Sequence, residues 1–365
     1  MKRILVSVTN DLTTDQRVHK VCITLTQMGF DVLVIGRKLK NSQNLNRNYK
    51  TFRFKLLFKK GFLFYAEYNL RLFFKLLFLK KDILLSNDLD TLLPNFLISK
   101  IFKLKLVYDS HELFTEVPEL INRLFVQKFW LTIEKNILPK IKNCYTVSNS
   151  IANYYNLKYK TNFITIRNLP IATNKILKDE LPFDIKNNKI ILYQGAINKA
   201  RGLELMITTM QFIENSIFVI IGNGDIEKEL LQQIKVLNLK EKVKLIPKQS
   251  PNELQKITPL ADLGISFEED FGLSYKFALP NKLFDYIQAK VPVLVSDLPE
   301  MKKIIQQFSV GEIIQDRNPE KLAIQISTML QKGKEFYNSN LETAKKTLTW
   351  ENESEHLKKF YTNLK

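Results

Sequence analysis

Between Asp262 and Ser296 the 365-residue sequence gathers its densest run of groups able to handle an anionic, hydroxylated ligand. Ser266-Phe267-Glu268-Glu269-Asp270-Phe271-Gly272-Leu273 closes a short apolar run, and Pro280-Asn281-Lys282-Leu283-Phe284-Asp285-Tyr286-Ile287 opens a helical pattern before a second apolar run. Pro280 and Asn281 are helix-start residues. Lys282 and Asp285 stand three apart and share one face, while Leu283, Phe284 and Ile287 form the buried one. A cation and a carboxylate near a helix N-terminus suit a phosphate and a pair of ribose hydroxyls, respectively. The plainer alternative is a surface ion pair.

Further segments carry chemistry-bearing residues where an apolar run ends. Tyr193-Gln194-Gly195-Ala196 and Ala200-Arg201-Gly202-Leu203-Glu204 make a glycine-bounded loop with a cation inside it. Ile220-Ile221-Gly222-Asn223-Gly224-Asp225 reads as a tight turn, with Asp225 as a cap in the plainer reading. Val107-Tyr108-Asp109-Ser110-His111-Glu112 brings one of only three histidines to a strand end. The alternative for His111 is a hydrogen-bonded structural imidazole. Thr9-Asn10-Asp11 and Asp15-Gln16-Arg17 follow the first apolar run without a glycine, so side chains rather than bare backbone face outward there, with His19 on the next helix. The missing Gly-x-Gly-x-x-Gly argues against a dinucleotide-binding dehydrogenase. Asp88-Leu89-Asp90 is read with Asp90 as a helix N-cap rather than as a metal ligand. No other cluster has convincing metal-ligand spacing, so no metal is expected.

The elements that must position these groups alternate along the whole chain. Apolar, β-branched runs at 3–9, 31–35, 83–86, 104–108, 144–147 and 163–166 precede a second series at 190–193, 217–221, 243–246, 263–267 and 291–296. Such runs separated by helical patterns predict α/β architecture with parallel sheets covered on both faces. A polar stretch from Pro170 to Asn188 separates the two series and reads as a linker. The simplest organisation is two doubly wound domains facing across a cleft, spanning 1–170 and 185–345. A helix at 346–365 would return to the first.

Charge divides unevenly between them. Residues 1–170 carry 28 Lys+Arg against 12 Asp+Glu, and residues 171–365 carry 27 against 25. The acidic count is what differs, so the first half alone presents a positive field suited to an anionic partner. Between Arg37 and Lys81 there are 13 basic residues and one acid, Glu67. Within that stretch 62–80 is helical in pattern, either buried between neighbours or offering a basic, aromatic surface to anionic lipid headgroups. Aromatics among cations also suit RNA, but no recognisable single-strand reader motif occurs, and no nucleic-acid partner is expected. Two distant cysteines, Cys22 and Cys144, exclude a disulfide framework and fit a reducing cytoplasm. No window of eighteen uncharged apolar residues occurs, and the N-terminal run is too short for a signal peptide.

Taken together, the 262–296 block, the Gly195–Arg201–Gly202 loop, the Gly222–Gly224 turn and the His111 segment resemble the retaining nucleotide-sugar glycosyltransferases of the GT-B fold, family 4 of that classification. The resemblance implies transfer of a hexose-type sugar, with retention, from a nucleoside-diphosphate sugar to an acceptor hydroxyl. The acceptor would be a glycan or lipid-linked molecule in envelope polysaccharide or glycolipid synthesis. On the donor side it implies Gly195, Arg201, Gly222, Gly224, Glu268, Glu269, Gly272, Leu273, Lys282 and Asp285. Arg201 and Lys282 would clamp the diphosphate, Asp285 would hold the ribose, and Glu269 or its neighbour Glu268 would contact the donor sugar. On the acceptor side it implies His111, next to the transferred sugar, with Glu112, Asn10, Asp11 and Arg17. The catalytic set is then His111, Glu269, Arg201 and Lys282, with no cofactor. The sequence departs from the family's pattern where relatives carry an Arg at Ala196 and where the two acids usually stand eight apart; Glu269 and Asp285 stand 16 apart. A nucleotide-sugar 2-epimerase of the same architecture and a non-catalytic sugar-nucleotide or polyanion binder are the alternatives. A peripheral position at the inner face of a membrane follows from the basic half.

Overall fold

The apolar runs become strands because each buries both faces between helices. In the computed structural model, which describes residues 1–40, 42–121, 123–173 and 180–364, the chain forms two units. The first comprises Met1–Asn168 with Asn352–Lys365, and the second Leu169–Glu351. Of the expected linker, residues 174–179 lie outside the described residues. Leu169, ahead of position 185, already belongs to the second unit, where it is fully buried in the core.

The first unit holds seven strands: β1 (Arg3–Asp11), β2 (Asp31–Arg37), β3 (Lys50–Phe54), β4 (Ile83–Asn87), β5 (Lys105–Ser110), β6 (Asn143–Thr146) and β7 (Phe163–Thr165). They lie all parallel in the order β3-β2-β1-β4-β5-β6-β7. The second unit holds β8 (Lys189–Gln194), β9 (Ser216–Ile221), β10 (Val243–Ile246), β11 (Leu263–Ser266), β12 (Val293–Val295) and β13 (Gly311–Ile313), in the order β10-β9-β8-β11-β12-β13. Both sheets are doubly wound, as the alternation predicts. Each therefore has a switch point where the order reverses, between β1 and β4 and between β8 and β11. Ligands of open α/β sheets bind at the strand C-termini beside such a point.

β3 and β13 have no counterpart among the apolar runs. Both are edge strands with one neighbour, so neither needs an apolar run to be buried. β3, Lys-Thr-Phe-Arg-Phe, alternates charge with aromatics inside the most basic stretch. β13 begins at Gly311, where a Cβ would collide with the Val293 carbonyl.

The chain's end joins the first unit through buried chemistry. Arg167 grips the Glu353 carboxylate with Nε and Nη2 at 3.0 and 2.8 Å, and Lys105 Nζ reaches the Leu364 carbonyl at 2.5 Å. The Pro319–Thr347 helix, which precedes it, is broken at Gly333 by a φ of 70°. Among the described residues no helix is long and apolar enough to cross a membrane.

One side chain ties the second sheet together at its switch point. The fully buried Tyr286 hydroxyl accepts from Gln194 N at 3.2 Å and donates to the Leu192 carbonyl at 3.0 Å, with its ring against Gly264. Tyr286→Phe strands a buried N–H and a carbonyl, so it should lower unfolding free energy by about 1–3 kcal/mol. Chemical denaturation at equilibrium measures this, and an unchanged midpoint would contradict it.

Candidate active site

The switch point of the second sheet is built around one carboxylate. β11 ends at Ser266, and two residues later Glu268 is fully buried. Lys282 Nζ donates to its Oε1 at 2.7 Å, Arg201 Nη1 approaches the same oxygen at 3.4 Å, and Ser266 Oγ donates to Oε2 at 2.6 Å. Burial by itself raises the carboxyl, but Lys282 and Arg201 outweigh it and hold Glu268 at about 2. The cations are themselves shaped by aromatic faces. The Arg201 guanidinium lies 4.4 Å from the Tyr275 ring centre and Lys282 Nζ 4.1 Å from that of Tyr193. Arg317 fixes the backbone from behind, donating to the Glu268 carbonyl at 3.1 Å and to Ser266's neighbour Phe267 at 3.3 Å.

The loops bearing these groups interlock. Gly202, with φ of 70°, leaves room for Phe267, whose carbonyl a Cβ would meet at 2.5 Å. Glu269 N donates to the Ala200 carbonyl at 3.0 Å. Gly195, with φ of 145°, borders Lys282, whose Cε would lie 3.4 Å from an added Cβ. Gly222 and Gly224 pack directly on the Gly195 and Ile197 carbonyls, where an added Cβ would collide. Asp225 does not cap the following helix, Glu227–Val236, which has Ile226 at its N-cap.

The Asn281–Gln288 helix begins after Pro280, as its residues predict, and carries both Lys282 and Asp285. Asp285 is half-buried and accepts from Gln194 Nε2 at 3.0 Å, while Gln194 Oε1 accepts from Thr258 Oγ1 at 2.8 Å. The fold thus brings together Gly195, Arg201, Glu268 and Lys282, with Asp285 joined through Gln194. Glu269 is exposed and stays outside the ion cluster. Gly272, with φ of 87°, caps the short helix Leu273–Lys276 that places Tyr275 under Arg201.

In the first unit the C-terminal ends of β1, β4 and β5 carry another ion network. Asp88, with φ of 58° and ψ of 168°, sits in a strained region otherwise left to glycine. Its carboxylate accepts from His111 N at 2.8 Å and faces His111 Nδ1 at 3.1 Å. Asp109 faces His111 Nε2 at 3.3 Å and is gripped in turn by Arg17 Nη2 at 2.7 Å and Nε at 3.0 Å. Burial opposes a charged imidazole, yet Asp88 and Asp109 outweigh it and raise His111 well above the usual histidine range. Both ring nitrogens thus face carboxylates, an arrangement that favours the charged imidazole and fixes the ring's direction.

Arg17 also differs from expectation. It is 3% exposed, and its Nη1 donates to the Ile166 carbonyl at 2.9 Å, so it positions Asp109 from inside the core. Asp11 is buried, accepting from Ser42 Oγ and from Thr13 N. Asn10 is exposed and donates to Asp15, and Glu112 is exposed at the strand end. Asp90 is not a cap. It accepts from Thr9 Oγ1 at 2.5 Å, and burial together with the charge of Asp88 pushes it up to about 7. Among the described residues no group of three His, Cys, Asp or Glu could hold a metal ion. His19 lies on the Gln16–Gln27 helix, where burial and then Arg47 lower it to about 4. Sequence reasoning passed over Asp109, Gln194, Thr258, Tyr275 and Arg317; for Asp109 and Gln194 the available signal was their place at a strand's C-terminal end.

Residues 178–347 match the family of glycosyl transferases group 1. Chitobiosyldiphosphodolichol beta-mannosyltransferase of Candida albicans is 22% identical over 239 residues, covering 59% of this chain and 51% of that protein. The match thus spans about half the length of that curated relative. Sucrose-phosphate synthase of Thermosynechococcus elongatus superposes with a TM-score of 0.79 at 16% identity, over 100% of this chain and 99% of that one. Anabaena HepE in complex with UDP and glucose gives 0.75 at 15% identity, over 100% of both chains. At such identities the structural likeness establishes the fold, which is GT-B.

The His111 network makes stability depend on pH. A histidine whose folded value is raised contributes stability that is complete below its unfolded value of about 6.5, declines above it, and is gone past the folded value. The stability gap between the wild type and His111→Gln should therefore be widest below about pH 6.5 and shrink as pH rises. NMR at pH 7.5 should show His111 as imidazolium and His19 neutral. A neutral His111 ring, or a gap constant with pH, would sink the assignment.

Proposed function

We propose that this chain, whose residues 178–347 match the family of glycosyl transferases group 1, transfers a sugar from a nucleoside-diphosphate sugar to an acceptor hydroxyl. The observation that carries the reading is the convergence of Arg201, from the loop after β8, and Lys282, from the first turn of the Asn281–Gln288 helix, beside Gly195 at the switch point of β8 and β11. Two fixed cations there suit a diphosphate leaving group. Asp285, oriented by Gln194 and Thr258, suits a ribose diol next to it. Glu269, exposed on the loop after β11, is left to meet the donor sugar's hydroxyls. The HepE complex with UDP and glucose supports a nucleotide-sugar donor, and the family match disfavours the 2-epimerase alternative.

The reaction is assigned retention of configuration. The acceptor hydroxyl attacks on the face from which the diphosphate departs, and a leaving-group oxygen takes its proton, so no protein nucleophile is needed. Negative charge grows on the diphosphate as the sugar bond breaks, and Arg201 and Lys282 stabilise that state more than the bound donor. The acceptor is a glycan or a lipid-linked molecule, as the name of the Candida relative suggests for that protein, and the product is an envelope polysaccharide or glycolipid.

An apolar, basic exterior on the first unit supports a site at the cytoplasmic face of a membrane. The Gly61–Phe78 helix buries Phe64, Tyr68, Leu72 and Leu76 at every fourth position, which leaves Phe62, Leu70, Phe74 and Phe78 exposed on the other side. Lys59 and Lys60 stand exposed at its start, and on the Leu124–Ile137 helix Phe125 is 87% exposed, with Phe129 in ring contact with Phe62. Aromatics beside lysines suit an anionic interface. Cys22 and Cys144, both buried thiols, fit a reducing compartment.

Arg201→Ala and Lys282→Ala should each lower kcat by about 10²–10³, with a milder loss of donor affinity. Asp285→Ala should weaken nucleotide binding at least as much as turnover, because the ribose does not change charge. Near-normal kcat in both cation variants, with circular dichroism showing a folded chain, would remove the clamp.

The membrane reading has its own measurement. The protein should sediment with vesicles containing anionic lipid and release them as salt rises. Charge reversal at Lys59, Lys60, Arg71 and Lys75 should abolish that binding, and persistence of binding in this variant would exclude the surface.

A further inference from the structure

We propose that Glu268 is a built-in counter-ion to Arg201 and Lys282 that weakens their pull on the donor diphosphate, so that its charge sets how tightly nucleotide is held and how readily the product leaves. This inference rests on the donor-site reading given above.

The geometry separates Glu268 from every other acid at the site. Glu269, its neighbour, is exposed, whereas Glu268 is fully buried and cannot reach a sugar in open space. Its two carboxylate oxygens are divided, one between the two cations and one to Ser266. Its backbone carbonyl is held by Arg317. A carboxylate fixed at that many points stays where it is when a ligand arrives.

The cations keep donors in reserve. Lys282 spends one of the three ammonium protons on Glu268, and its side chain is only 8% exposed. Arg201 directs one nitrogen at Glu268, and its buried Nε has no partner among the described residues. Both can therefore hold Glu268 and a phosphate oxygen together. The ligand meets a site whose formal charge is one positive, not two.

The fixed negative charge opposes an incoming anion, and opposes most the one with more charge. A released nucleoside diphosphate ends in a free phosphate, carrying about one negative charge more than the same diphosphate esterified to a sugar. Glu268 thus disfavours product more than donor.

Isothermal titration calorimetry with UDP, GDP and ADP tests this. For whichever nucleotide binds the wild type, Glu268→Gln should tighten binding about tenfold or more, as expected for removing a unit charge a few ångströms away in a poorly screened site. Product inhibition should strengthen in parallel, and the affinity should fall more steeply with salt. Glu268→Asp should stay within a few fold of the wild type. Because Glu268→Gln leaves Lys282 without its balancing charge, the double variant Glu268→Gln/Lys282→Met provides a folded reference of the original net charge. Its affinity should return toward the wild type and exceed that of Lys282→Met alone. If Glu268 merely held the cations in place, Glu268→Gln would bind more weakly than the wild type and the double variant no more tightly than Lys282→Met alone; either result overturns the proposal. Failure of the wild type to bind any of the three nucleotides would instead overturn the donor-site reading, and this inference with it.

Discussion

A carboxylate with no exposure to water must be paired or it cannot stay charged, and that requirement at Glu268 organises the second unit's functional end. Its partners come from three places in the chain: Ser266 beside it, Arg201 from the loop after β8, and Lys282 from the helix before β12. Each loop must then be held to the others. Gly202 lets the Arg201 turn close on Phe267, Glu269 N bonds to Ala200, and Tyr286 joins the backbones of β8 and the Asn281–Gln288 helix. The anion-handling surface is preorganised because the ion cluster has one way to be satisfied.

The first unit uses the same physics. Asp109, buried between Arg17 and His111, is kept charged by them against the effect of burial. Seven of the twelve acidic residues in 1–170 lie at or after the ends of β1, β4 and β5: Asp11, Asp15, Asp88, Asp90, Asp109, Glu112 and Glu116. The surplus of positive charge must therefore sit elsewhere on this unit. Part of it surrounds the exposed aromatics of the Gly61–Phe78 helix. Acids thus gather at one sheet end, while lysines and exposed aromatics share a separate exterior. The sum of charges along the sequence blends the two.

Strain marks where this separation is enforced. Asp88 adopts backbone angles that a side chain disfavours, and its carboxylate then receives both a backbone and a ring proton of His111. Holding a residue there costs on the order of 1–3 kcal/mol, which the surrounding ion pairs must offset. That cost is consistent with a group whose direction, and not only its charge, matters.

Much of this was legible in the sequence. Apolar runs flanked by helical patterns determined two doubly wound parallel sheets, since a strand buried on both faces has no other composition available to it. The residues at strand ends and helix starts determined Arg201, Lys282 and Asp285 as a group, because those positions face the ligand end of such sheets. Tertiary structure decided the rest. Glu268 and Glu269 are indistinguishable as neighbours in a sequence, but on an extended segment adjacent side chains point oppositely, and only one meets cations that lie 67 and 14 positions away. Arg17 looked like a surface ligand until β5 brought Asp109, 92 positions on, beneath it. The edge strands β3 and β13 carry no burial signature, because a single neighbour suffices to pair them. Local pattern encodes which face of an element is buried; which charge is buried, and with what partner, depends on residues that only the folded sheet brings together.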